Sequence, residues 1–93
     1  VRAPRDVLRA QLASAPTARG RWLAAMALAS ADDPASLGAL AARLSDTAEH
    51  WTVRVECAEA LGAKRLPERF DALRNAGKEP HPKVRRAVVA ALG

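Results

Sequence analysis

Val53-Arg54-Val55-Glu56-Cys57-Ala58-Glu59-Ala60-Leu61-Gly62 returns further along the chain as Val84-Arg85-Arg86-Ala87-Val88-Val89-Ala90-Ala91-Leu92-Gly93. Five of the ten places are identical: Val, Arg, Ala, Leu and Gly. A looser copy lies a similar distance upstream, where Arg21, Ala25, Ala27 and Leu28 fall on Arg54, Ala58, Ala60 and Leu61. A period of about 32 residues in an alanine-rich chain predicts stacked helix pairs, an all-α solenoid, rather than a fold with one compact core. Such an array offers surface to another molecule and seldom carries chemistry of its own.

Prolines punctuate the rest of the chain. Pro4, Pro34 and Pro67 recur at nearly the same spacing, each ahead of a helical pattern, and proline suits the first turn of a helix. The first helix of each pair is predicted at about 5–14, 35–45 and 67–77. Their inward residues are Val7, Leu8 and Leu12; Leu37, Leu40 and Leu44; Phe70 and Leu73. Second helices are predicted at about 17–30, 50–62 and 82–92, with turns within pairs at Ser14–Pro16, Ser45–Glu49 and Gly77–Pro82. The result is one domain of three repeats, about 1–31, 32–63 and 64–93.

The middle second helix shows why the pairs must stack. With the angular step of an α-helix, Trp51, Val53, Val55, Cys57, Ala58 and Leu61 cover an apolar arc of about 200°. Thr52, Glu56 and Glu59 hold the remaining polar strip. One partner helix cannot cover so wide an arc; the helix needs its pair-mate and both neighbouring repeats. The chain opens on valine and Gly93 closes the third copy, with no spare polar helix at either end. A fragment of a longer polypeptide is therefore expected.

Ninety-three residues allow one domain with a small core. Alanine is the best helix former and keeps helix axes close, while only Trp22, Trp51 and Phe70 are aromatic. No stretch approaches the roughly 18 apolar residues of a membrane span, and no segment reads as a signal peptide. The single cysteine, Cys57, excludes an internal disulfide and reads as a buried filler rather than a reactive thiol. The compartment is undecided on that basis, with cytoplasm favoured over secretion.

The net charge of +5 is unevenly spread: the three repeats carry +4, −4 and +5. A duplex-binding solenoid wants a continuous basic track, because affinity scales with the phosphates neutralised. An acidic middle repeat interrupts that track, so nucleic acid is disfavoured as a partner. Contacts between repeats, or with a protein surface, fit the alternation better.

Arg21, Arg54 and Arg85 recur with the repeat, and Arg54 projects inside the apolar arc. One reading is a structural ladder, each guanidinium bridging a carboxylate or helix-end carbonyls of an adjacent repeat. Asp46 and Glu49 are the nearest candidates for Arg54. The other reading is a row of anion-binding arginines; recurrence in every repeat favours the ladder. His50 and His81 also hold equivalent places in their repeats, each just ahead of a second helix. They read as turn histidines, since no H-E-x-x-H or other ligand spacing accompanies them. Ser14, Ser30, Ser36 and Ser45 lie near predicted helix ends, where hydroxyls cap backbone groups. No constellation supports catalysis, and no metal or cofactor is expected in this segment.

The polar strip changes character along the array. Glu56 and Glu59 correspond to Leu23 and Met26 in the first repeat and to Ala87 and Ala90 in the third. Either neighbouring parts of the parent protein cover the outer two copies, or the strip is a groove for a segment with a basic residue at its centre. Both imply contact with protein.

The phrase Val-Arg-x-x-x-Ala-x-Ala-Leu-Gly after a short polar turn resembles HEAT-type repeats, strongly over 46–93 and weakly over 1–31. That resemblance implies a right-handed α-solenoid of three HEAT-like helix pairs, with second helices lining the concave side. The family pattern often has aspartate in the turn; Asp46 fits, the third turn has Glu79, and the first has no acid. More narrowly, His50 through Gly62, followed by Pro82 through Gly93, is similar to the HEAT-like C-terminal region of bacterial gluzincin-type zinc aminopeptidases. In those enzymes the zinc and the catalytic glutamate sit in an upstream domain, so no catalytic residue carries over. The resemblance implies a helical buttress beside a catalytic unit.

The expected function is a non-catalytic packing or interaction module, its partner the rest of its own polypeptide or another protein. A free-standing protein-binding adaptor is the first alternative, and a nucleic-acid or DNA-repair scaffold the second.

Overall fold

The computed structural model of the chain describes residues 4–76 and 78–93. Among them are six α-helices: α1 (Arg5–Ser14), α2 (Ala18–Ala27), α3 (Pro34–Ser45), α4 (Trp51–Gly62), α5 (Arg69–Asn75) and α6 (Pro82–Leu92). A turn of 3-10 helix, Leu28–Ser30, extends α2. The pairs α1/α2, α3/α4 and α5/α6 are stacked in order. The second helices lie side by side, α2 on α4 and α4 on α6, with α1, α3 and α5 forming the other layer. The slab is 36 × 27 × 15 Å. This is the α-solenoid that the sequence period predicts.

Helix starts follow from local chemistry. Thr17 Oγ1 accepts the Gly20 N–H at 3.1 Å, and the Asp33 carboxylate accepts the Ser36 N–H at 2.9 Å. Each satisfies a donor that has no partner inside its helix. Ser36 Oγ donates back to Asp33 at 2.8 Å, which fastens the first turn of α3 behind Pro34. His50 and His81 cap α4 and α6 in the same manner.

α5 is shorter than the predicted 67–77. Leu66 and Pro67 accept i+3 bonds from Arg69 and Phe70 at 3.1 Å each, so a tight turn replaces the first α-turn. Gly77, at the predicted end of this helix, lies outside the described residues.

The core is continuous through all three pairs. Leu12, Leu28, Leu40, Leu44, Val53, Cys57, Leu61, Leu73, Val84 and Val88 are fully buried. Every repeat contributes, as an array without self-sufficient units requires. Two expected inward residues depart from the core: Phe70 is half-buried with Arg69 over its ring, and Val7 is 41% exposed. α1 has helices on one side only, and Leu8 and Leu12 take that side.

Candidate protein-interaction site

The recurrent arginines and the turn acids form the frame that holds the second helices in register. Arg21 grips Glu49 with two donors, Nε at 2.7 Å and Nη2 at 3.0 Å. Its Nη1 donates to the Ala15 carbonyl at 2.6 Å. Arg54 repeats the arrangement one pair further on. Its Nη1 reaches Glu79 at 2.9 Å, its Nη2 bonds the other carboxylate oxygen, and its Nε donates to the Leu44 carbonyl at 2.9 Å. Each guanidinium thus holds a carbonyl near the end of its own first helix and a carboxylate in the turn of the next pair.

Arg85 has only the first half of this set. Its Nη1 donates to the carbonyls of Glu79 at 3.0 Å and Pro80 at 3.2 Å. Among the described residues no carboxylate pairs with it.

Neither expected partner of Arg54 meets it. Glu49 serves Arg21, and it also accepts from Arg43 at 3.1 Å and from the His50 N–H at 2.7 Å. Asp46 faces Arg43 at 3.3 Å. Arg54 points forward along the stack, toward the following turn, away from the acids closest to it in sequence.

These contacts set the charge states. Burial pushes the Glu49 carboxyl up, but hydrogen bonds from Arg21, His50 and Arg43 outweigh it and hold the group below the usual carboxylate range. Hydrogen bonding from Arg54 lowers Glu79 against the opposing effect of burial. Two anions are thereby kept ionised inside the stack.

His50 Nδ1 accepts the Thr52 N–H, and His81 Nδ1 accepts the Lys83 N–H, both at 3.2 Å. The two rings stack on Trp51 with centroid separations of 5.9 and 5.6 Å. Lys83 Nζ stands 4.5 Å from the Trp51 ring centre, within cation–π range. Each histidine thus spends one ring nitrogen on a helix start. Among the described residues no group of three His, Cys, Asp or Glu side chains is placed to hold a metal.

The strip of second-helix positions faces outward. Leu23 and Met26 on α2 are 42% and 45% exposed. Glu59 is exposed and Glu56 half-buried on α4, while Ala90 is exposed and Ala87 half-buried on α6. Between α4 and α6 runs a groove with Trp51, Val55 and Glu59 on one side and Lys83, Arg86, Ala87 and Ala90 on the other. Burial and the adjoining Glu59 raise the Glu56 carboxyl. Neither glutamate has a cation at ion-pair distance among the described residues.

A family model described as HEAT repeats matches residues 5–93. The chain belongs to the HEAT repeat family. No curated protein matches. Among solved structures, human deoxyhypusine hydroxylase in complex with glycerol superposes with a TM-score of 0.86 at 33% sequence identity. The match covers 95% of this chain and 30% of that one, so the chain spans under a third of the hydroxylase.

Within this HEAT array one tie is invisible in the sequence. Lys64, in the link between α4 and α5, is only 2% exposed. Its Nζ donates to the carbonyls of Leu28 at 2.6 Å and Ala29 at 3.2 Å. A lysine in a connector following Gly62-Ala63 looks like a solvated loop residue. Only the stacking of the third HEAT repeat's entrance on the end of α2 gives it acceptors. No helix of the described residues is long and apolar enough to cross a membrane.

Proposed function

We propose that this chain is a non-catalytic HEAT-repeat interaction module whose second-helix face receives a protein segment with a basic group at its centre. The carrying observation is the strip itself. Two carboxylates, Glu56 and Glu59, lie together with no cation at ion-pair distance among the described residues, between the exposed Leu23 and Met26 on one flank and Ala87 and Ala90 on the other. A lysine or arginine arriving between the glutamates relieves their repulsion, and its apolar neighbours cover the flanks.

The module is proposed to hold no cofactor, since the ring nitrogens facing the helix starts at His50 and His81 are engaged. Nucleic acid is a poorer fit. Arg21 and Arg54 direct their guanidiniums into Glu49 and Glu79 rather than outward. The 33% identity and the 30% share of the hydroxylase support a second reading, that the module is one section of a larger HEAT-repeat enzyme. The aminopeptidase-tail reading, with its zinc in an upstream domain, has the Trp51–Gly62 motif alone as support.

Titration of the chain with an amphipathic helical peptide carrying one central lysine tests the main reading, with Trp51 emission as the signal. Saturable quenching that weakens in Glu56→Gln and Glu59→Gln is expected. Binding of equal strength in both variants, or tighter binding of duplex DNA, removes it.

A further inference from the structure

The groove between α4 and α6 has an electrical direction. Lys83 stands against Trp51 at one end, and Gly62 packs on Ala91 at the other. The two helices therefore run parallel, with both starts at the same end of the groove. Helix starts carry positive and helix ends negative partial charge. The lining side chains repeat that order. Lys83 and Arg86 stand in the first two turns of α6, whereas Glu59 stands in the last turn of α4, adjoined by Glu56. Val55 and Ala87 lie between the two ends.

The basic end is held in place. His50 and His81 both stack on Trp51, and the Lys83 ammonium lies 4.5 Å from the centre of that ring. Among the described residues neither Lys83 nor Arg86 has a carboxylate at ion-pair distance. Trp51 and Glu59 are eight residues apart on one face of α4, which is about 12 Å along the axis. Two turns of a helical occupant span about 11 Å.

We propose that the segment received by this face carries an aspartate or glutamate two helical turns from its central base, and that it lies in one direction only. Its base sits at Glu59 and its acid between Lys83 and Arg86. This deepens the reading above, on which it rests. A segment laid the other way brings like charges together at both ends, and a wholly basic segment meets Lys83 and Arg86 without compensation.

Three dye-labelled helical peptides test this by fluorescence anisotropy with the full chain. One carries the central lysine alone, one adds a glutamate seven residues before it, and one adds it seven residues after. One of the two acidic peptides is expected to bind about fivefold more tightly than the lysine-only peptide, and the other no more tightly. Lys83 and Arg86 are exposed. The double variant Lys83→Met/Arg86→Met is expected to abolish the gain while the lysine-only peptide binds at least as well as before. Equal binding of all three peptides overturns the direction and leaves the central-base reading standing. An equal gain from both acidic peptides, or a gain that survives the double variant, also overturns it. Binding by none of the three overturns both readings. Concentration-dependent self-association of the chain that the double variant abolishes assigns the groove to a second copy and overturns the proposal.

Discussion

Gly62 meets Ala91 where α4 crosses α6, and the contact leaves no room for a side chain at position 62. A methyl there would stand 2.8 Å from the Ala91 Cβ and 3.1 Å from its Cα. Gly38, in the middle of α3, has nothing within 4 Å of the equivalent point. The two glycines therefore respond oppositely to the same substitution. Gly38→Ala should stabilise by about 0.5–1 kcal/mol through helix propensity. Gly62→Ala should destabilise by about 1–2 kcal/mol, because overpacking exceeds that gain. Urea unfolding of the two variants decides both signs.

Arg54 and Glu79 are both nearly buried, with side-chain exposures of 5% and 7%. Arg54→Ala strands the carboxylate and should cost about 3 kcal/mol. The double variant Arg54→Met/Glu79→Leu should recover most of that loss, since no charge remains uncompensated. Arg85→Ala should stay within about 0.5 kcal/mol of wild type. Equal costs at Arg54 and Arg85 would show that the carboxylate is not what distinguishes them.

Acid should unfold the stack through Glu49 and Glu79. Both carboxyls are held below their ordinary value in the folded state. Their stabilising contribution is complete above the unfolded value of 4.5 and is lost as the pH falls through the lower folded value. Glu56 has the opposite sign, because its folded carboxyl is raised. Glu56→Gln should therefore stabilise the chain at neutral pH and have less effect in acid. Denaturant midpoints recorded from neutral pH down into the carboxylate range check both slopes.

Cys57 should be chemically silent while the chain is folded. Burial, chiefly, pushes its thiol up to about 12, and the thiolate is the reacting form. In mildly alkaline buffer a disulfide reagent should label it only through opening of the stack, with a rate that rises with denaturant in step with unfolding. Fast labelling in native buffer would contradict the buried placement.

Lys64 should prove to be a structural residue despite its position in a connector. Lys64→Met leaves the Leu28 and Ala29 carbonyls without their donor and should cost about 1–3 kcal/mol. Lys78, which is exposed, is the control: Lys78→Met should be near neutral. Thermal melts of the pair measure the difference.

The period, the helix count and the need for stacking were legible in the sequence because they are properties of one helix and its repetition. The wide apolar arc on α4 states, without coordinates, that several neighbours must cover it. The placing of Arg54 within that arc was legible for the same reason. So were the helix-start positions of His50 and His81, which follow from sequence neighbours alone.

Tertiary structure decided what depends on distances between helices. Which acid meets which arginine is set by how far one pair is displaced from the next, and spacing along the chain carries no record of it. For that reason Glu49 goes to Arg21 and Glu79 to Arg54. The burial of Lys64 follows from the same displacement, and the exposure of Val7 from the place of α1 at the edge of the stack. The repeated glycines make the point at one residue type. Gly62 is needed for the approach of Ala91, whereas Gly93 adopts a φ of +56°. A repeating sequence specifies identical helices, and only their assembly gives identical residues different surroundings.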